Sequence, residues 1–567
     1  MYGYTITVNG NIPSKDGDIF YKNIVCSNRM IHKFEQDKLF AETDDYIIML
    51  DGVILNRSAL IEKCHLPKDE SQWLNTIIEL YRENGEVFFN QLRGSFSGAF
   101  YDKASDKWIV FCDQIGSKYT YYTHVGDFFC CCEEMGYMYQ LLQNNGIHYH
   151  LSIDNSYLLL TYGFMLDDRT LCEEIHKINP GCYLTFQNGQ LLEHRYYMLN
   201  NQPNYSMSEK DAIEMIDHYF RQAVIRQFEK DNEYGYHHLV ALSGGLDCRM
   251  TTFVAHDCGY TQQLNMTFSQ TEYWDQTLPM RMSNALKHEW IFKALDNGIW
   301  LYDVDDVTRT TGGNVLYYGT AHGNSLLKYL NFECLGLEHS GQIGDVIIGS
   351  FVNTHDKEDK YTIGNGAYST KYINRLKNLL LTLDVKKELG LIYYRGFHGA
   401  NNGLQNIYNY TETLSPFLDI DVLENVLTIP IELRQNHYIY IKWILEKYPH
   451  AAEYEWEKTG YKITEPTIRL FNRETTIKAI PHRILSYCLR KIGVKNDSNN
   501  KKQMNPVGFY IANNKNLKSY LDTYFQHNDS IDNVELRNTI KEIQETGSAM
   551  DKIQAISLLA AIKLFFV

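Results

Sequence analysis

Ala241-Leu242-Ser243-Gly244-Gly245-Leu246-Asp247-Cys248 joins an apolar run, His238 to Leu242, to a helical pattern over Asp247 to His256. A strand, a glycine turn and a helix in that order open an α/β unit. Two glycines let backbone approach an anion closely, and the amides that begin the next helix point toward it with a favourable dipole, so the loop suits pyrophosphate. No lysine follows the glycines, which sets the loop apart from that of kinase-like nucleotide hydrolases. Asp247 offers instead a hard oxygen for a magnesium ion bridging phosphates. A Ser-Gly-Gly alone is equally an ordinary strand-to-helix turn, so its surroundings must decide.

Downstream, Thr267-Phe268-Ser269 closes another strand-like run and Asp275 follows. Ser340-Gly341-Gln342-Ile343-Gly344-Asp345 then forms a second glycine turn, whose Asp345 is about 100 residues beyond Asp247. Two such turns, each with one aspartate, suit a two-sided nucleotide cradle in which Asp247 and Asp345 share one Mg²⁺. Upstream of Met198 the texture is short β-type runs, such as Tyr46 to Leu50, Ala99 to Asp102, Lys107 to Cys112 and Asp127 to Cys132. Helical runs at Ser71 to Glu83 and Ile153 to Tyr162 interrupt them, which predicts an antiparallel α+β domain. Asn200 to Ser208 is polar with a proline and reads as a linker, followed by a long helical pattern over Glu209 to Glu229. Beyond Leu414 the chain is mostly helical by period, with a polar break at Asp497 to Gln503. The expected domains are 1–199, a 200–208 linker, and 209–567.

These motifs resemble the asparagine synthetase family in order and spacing over nearly the whole chain. The phosphate loop is similar to its SGGLDS type with Cys248 in place of the final serine, and Ser340 to Val346 to its SGEGSDE-type turn. Pro416 to Asp419 matches its PFLD segment, Lys442 to Leu445 its lysine helix, and Lys458 to Tyr461 a Lys-x-Gly-aromatic element. The resemblance implies an N-terminal Ntn-hydrolase-like αββα sandwich and a C-terminal adenine-nucleotide α-hydrolase-like (PP-loop) parallel sheet with a helical end. It also implies that a substrate carboxylate attacks the ATP α-phosphate and an amine or ammonia then displaces AMP. On that basis Asp247 and Asp345 bind Mg²⁺, and Ser243, Gly244, Gly245 and Cys248 surround pyrophosphate. Leu242, Thr267, Phe268, Ser269, Ser340 and Gly341 complete the ATP site, and Lys442 stabilises transition-state charge.

The first part of the chain looks like the family's glutamine amidotransferase domain. Asp51 to Asn56 aligns with an NGEIYN-type turn, Arg93 to Phe100 with a G-x-F-A-F-A-type strand, and Asp113 to Lys118 with a D-x-x-G-x-K-type turn. In such domains a cysteine becomes residue 1 after methionine removal, with its own α-amine as base. Here the sequence begins Met1-Tyr2-Gly3, and Asp51 and Val53 replace Asn and Glu of the substrate-holding turn. A tyrosine phenol is a poor substitute for a thiolate, so an inactive glutaminase is expected. Relatives that close a β-lactam ring or cyclise a peptide likewise lack the cysteine. Gln342 and Val346 depart from the family's acidic residues, and Gln342 cannot take a proton at neutral pH. The general base must then lie elsewhere.

Composition sets the outer bounds. The 567 residues, 44% hydrophobic and 22% charged, fit two or three globular domains. A net charge of −15 gives no footprint for nucleic acid. The twelve cysteines form no CxxC pair and read as reduced packing thiols. The start lacks a signal peptide's basic and apolar regions. Ile553 to Val567 is shorter than the roughly 20 apolar residues of a membrane span, so it reads as a terminal core helix in a cytoplasmic protein. A homodimer stays open. The leading expectation is an AMP-forming, glutamine-independent ligase joining a small-molecule or peptide carboxylate to an amine or free ammonia. The alternatives are a pseudo-synthetase that binds nucleotide or a partner, and glutamine-dependent asparagine synthesis. The loops at Asn314 to Leu330 and Phe351 to Lys371, which would shape the acceptor pocket, carry no readable substrate code.

Overall fold

A computed structural model of the chain describes residues 3–13, 15–67, 70–351, 353–355, 357–470, 473–480 and 503–567. Met1 and Tyr2, on which the missing-cysteine reading turns, lie outside these residues, as does the polar break before Gln503.

The first part of the chain folds as two six-stranded antiparallel sheets. One runs, in spatial order, His176–Lys177, Tyr121–Val125, Phe128–Cys132, Tyr4–Val8, Ile24–Asn28, Ile19–Tyr21. The other runs Gln190–Arg195, Cys182–Gln187, Lys107–Cys112, Gly94–Asp102, Tyr46–Ile54, Leu39–Glu42. Alternate side chains of both sheets, among them Tyr4, Ile6, Met49, Trp108, Val110 and Cys131, meet in one core, as period-2 strands require. Trp73–Asn84 covers the outer face of the second sheet through Trp73, Ile77 and Leu80. The described cysteines are free thiols, most of them buried.

After Ser208, whose hydroxyl and Asp211 form a capping box, the helix Glu209–Tyr234 leads into a five-stranded parallel sheet. Its spatial order is Glu289–Ala294, Gln263–Ser269, His237–Ala241, Leu335–His339, Thr413–Leu414. Both faces are covered, as parallel sheets demand. On one side Phe228 of the long helix stacks on His339, ring centroids 3.7 Å apart. On the other, Leu239 and Met266 pack against Leu326, Ile407 and Tyr408. The chain order of the strands reverses between His237–Ala241 and Leu335–His339, and the crevice at such a switch point is where open α/β sheets bind ligands.

The structure thus combines two antiparallel layers with a parallel α/β sheet and a helical end. Two details differ from expectation. The region after Leu414 includes two short hairpins, Glu455–Trp456 with Tyr461–Lys462 and Thr467–Leu470 with Arg473–Thr476, because strands this brief leave little period to read. Asn314 to Leu330 is chiefly the helix Tyr317–Leu327, not a loop; its two glycines hide its propensity. The terminal segment is the helix Ala549–Ala561, buried from Ile553 onward, continued by a π-turn over Ile562–Phe566. There Phe565 stacks on Tyr139 of the first half at 4.2 Å, and the Tyr149 hydroxyl donates to the Phe565 carbonyl at 2.6 Å. No described helix is long and apolar enough to cross a membrane.

Candidate active site

A cavity of about 640 Å³ opens at the carboxyl ends of the parallel strands, between the two glycine turns. Leu242, Ser243, Gly245, Asp247 and Cys248 line it from one turn, and Ser340, Gly341, Gln342 and Asp345 from the other. The turns touch closely: a Cβ on Gly341 would lie 2.3 Å from the Cys248 amide nitrogen, and one on Gly344 would lie 2.6 Å from the Asp247 carboxyl carbon. Only glycine permits that approach. Thr267 and Phe268 form the next wall, with the Thr267 hydroxyl donating to the Leu242 carbonyl at 2.8 Å.

Asp247 is the electrostatic centre. Its Oδ2 accepts the Asp345 amide at 2.9 Å and its Oδ1 the Tyr440 hydroxyl at 2.9 Å. Burial first, then the neighbouring Asp345 carboxylate, push the Asp247 carboxyl up. Burial also raises Asp345, but the hydrogen bond and charge of His437, then the charge of Lys458, outweigh it and hold Asp345 below its ordinary range. Two carboxylates that resist being ionised together are a place for a hard divalent cation, so the donor set fits Mg²⁺. Burial, then Asp247, push the Cys248 thiol up to about 12.

Three residues expected in the cradle are placed otherwise. The Gly244 amide donates to Asp275 Oδ1 at 2.7 Å and is not free for a phosphate. Ser269 is buried, its hydroxyl donating to the Gln270 carbonyl at 2.9 Å. Lys442 lies outside the cavity, its side chain 44% exposed and its ammonium 3.8 Å from Glu209. It follows Tyr440 by two residues, about 200° around the helix, so when Tyr440 turns to Asp247 the lysine must turn away. Among the described residues the lysine that lines the cavity is Lys458. Arg249 fixes that segment: its guanidinium donates to the Gly244 carbonyl at 3.1 Å and to the Ala451, Tyr454 and Glu455 carbonyls at 3.1, 3.2 and 2.6 Å. The phosphate loop and the strand end before Trp456 are thereby stapled together. Sequence reading also passed over His437, Tyr440 and Glu338 as cavity residues. Gln342 reaches the cavity, its amide donating to the Ala400 carbonyl at 2.7 Å.

In the first half of the chain, Asp51 is 1% exposed and sits among buried charges. Lys118 bonds its Oδ2, and Lys38 lies 2.9 Å from its Oδ1. Both lysines also meet Glu412, at the edge of the parallel sheet, at 3.3 and 2.9 Å. Burial raises the Asp51 carboxyl, but the charges of Lys118 and then Lys38 prevail and hold it far below its ordinary range. Glu133 is pushed well up by burial and then by Asp51; it accepts from Ser97 and packs against the backbone of Gly3.

Residues 31–197 match the glutamine amidotransferase domain family. The N-terminal layers are therefore an amidotransferase-like domain. Among solved structures, the chain is similar to glutamine phosphoribosylpyrophosphate (PRPP) amidotransferase from B. subtilis complexed with ADP and GMP, at a TM-score of 0.25 and 9% identity over 52% of this chain and 85% of that one. It is also similar to a structure described as the allosteric regulatory enzyme of purine biosynthesis, at a TM-score of 0.24 and 10% identity over 51% of this chain and 74% of that one. No curated protein matches the chain.

Proposed function

We propose that this protein is an ATP-dependent amide ligase of the asparagine synthetase type, forming AMP and pyrophosphate, with an inactive glutaminase domain. The observation that carries the reading is the pair Asp247 and Asp345, set on facing glycine turns at the sheet's switch point with Lys458 beside them. Ser243, Gly245 and the first amides of the helix Asp247–Asp257 receive the leaving pyrophosphate. Mg²⁺ between the two aspartates would offset the charge of the phosphates. A substrate carboxylate oxygen attacks the α-phosphorus as the bond to pyrophosphate breaks. An amine nitrogen then attacks the acyl carbon, and AMP leaves with the electron pair of the C–O bond. Lys458, an exposed side chain at the cavity wall with its ammonium 5.3 Å from the centre of the Trp456 ring, supplies the cation that Lys442 was expected to give, where negative charge grows on oxygen.

The inactive glutaminase is supported by Asp51, whose carboxylate is committed to Lys38 and Lys118 and not open to a glutamine. The test is a screen of amino acids, uronic acids and peptides for ATP-dependent pyrophosphate and AMP release, with ammonium or an amine as acceptor. Release with at least one carboxylate, and no glutamate from glutamine, is expected. Nucleotide binding without release would favour the pseudo-synthetase, and glutamate release at roughly 1 per second or above would favour glutamine-dependent asparagine synthesis.

A further inference from the structure

Glu338 stands on the strand Leu335–His339, two residues before the second glycine turn, and lines the nucleotide cavity while only 4% exposed. The Thr413 hydroxyl of the neighbouring strand donates to its Oε2. Among the described residues no lysine, arginine or histidine ion-pairs with it. Glu412, next to Thr413, shows what an anion buried in this sheet normally receives, since Lys38 and Lys118 both pair with it. A buried carboxylate without such a partner is costly, and one facing a triphosphate cavity also repels the nucleotide. Both costs are offset if the remaining substrate brings a cation or an N–H donor.

We propose that Glu338 receives the amine co-substrate and takes up its proton as the amide forms, an inference that rests on the ligase reading. The bound ammonium first gives one proton to water, which frees the nitrogen lone pair. As that nitrogen bonds to the acyl carbon and AMP departs with the electron pair of the C–O bond, the second proton, left on nitrogen, passes to the Glu338 carboxylate. This is the base that Gln342 cannot supply.

Burial pushes the Glu338 carboxyl up to about 7, tempered by the Thr413 hydrogen bond. Its surroundings do not compete for the proton. From the adjoining strand Leu239 and Ala241 are apolar. Cys248 stays a thiol, and burial holds His322, from the covering helix, down to about 4. Asp247, Asp345 and Lys458 belong to the phosphate end. Two other carboxyls of the cavity are rival origins of a pH dependence: Asp247, raised to about 7 by burial and then by Asp345, and Asp275, across the cavity, raised to about 6 by burial.

Glu338→Gln in the full chain tests the proposal. With a carboxylate that supports pyrophosphate exchange into ATP, the variant should keep exchange within about threefold and lose amide formation by about 10² or more. The parent's rate should rise with pH through about 7 and the variant's should not. Unchanged amide formation, a retained pH dependence, or loss of exchange together with amide formation would each overturn it, the last by placing Glu338 on the nucleotide. Should no carboxylate support exchange, the ligase reading falls, and methylammonium chloride against sodium chloride at equal ionic strength and pH 8 still decides the cation site. The parent should gain about 2 °C or more in Tm and the variant nothing; equal responses would overturn the proposal.

Discussion

Lys118, on a turn of the amidotransferase-like layers, lies 3.3 Å from Glu412, which leads into the last strand of the parallel sheet. Both are almost wholly buried, so their charges belong to one network with Lys38 and Asp51 that crosses between the two halves. Glu412 also lends its carbonyl to the Glu338 amide at 2.9 Å.

Lys118→Met should therefore destabilise the whole chain and not one half. Removing one member of a buried ion group leaves charge uncompensated, at a cost of about 3–5 kcal/mol. Urea denaturation at pH 7, followed by fluorescence and by circular dichroism, should give coincident, lowered midpoints. A shift below about 1 kcal/mol would show that water reaches the network.

Lys458→Met should lower ATP-dependent pyrophosphate release by about 10² or more while nucleotide binding stays within a few-fold, the scale of single charge-stabilising groups. Lys442→Met should stay within about twofold of the parent, since its ammonium meets Glu209 at the surface. The reverse ranking in steady-state kinetics would return the role to the helix lysine.

The two lysines show how far the sequence was legible. The glycine turns could be read because close backbone contact tolerates only one residue type, and the Ser243 and Ser340 turns do converge on one cavity. The long helices could be read from their period. Choosing between lysines required the facing of one helix, which Tyr440, Trp443 and Ile444, all buried, already imply at 100° per residue. Glu338 was illegible because a lone acid in a strand has no motif. Only the pairing of its strand with Thr413 and the cavity beyond make its lack of a cation visible.

Asp247→Asn should separate stability from binding. Burial and the Asp345 charge raise the Asp247 carboxyl, so the free protein loses stability as pH climbs from the ordinary carboxylate range through that raised value. At pH 8 without nucleotide the variant should be more stable by about 1 kcal/mol. It should lose the rise in Tm that MgATP gives the parent, a rise that EDTA should also abolish. Scanning calorimetry with and without MgATP checks both signs.

Glu338→Gln should flatten the pH dependence of folding. A carboxyl raised from 4.5 to about 7 favours the folded state below pH 4.5, and that advantage is lost as pH rises through 7. The full swing is about 3 kcal/mol. Denaturation midpoints from pH 4.5 to 8 should fall in the parent and fall less in the variant. Parallel curves would mean that the carboxyl titrates normally.

The stack of Phe565 on Tyr139 sets a condition on synthesis. Roughly 420 residues separate the two rings along the chain, which a ribosome adding about 5–20 residues per second covers in on the order of 20 to 80 s. Throughout that interval the first half waits with an aromatic notch open to water, its closing piece not yet made. The face of the first domain around Tyr139 is thus completed only after the chain as far as Phe565 has been made.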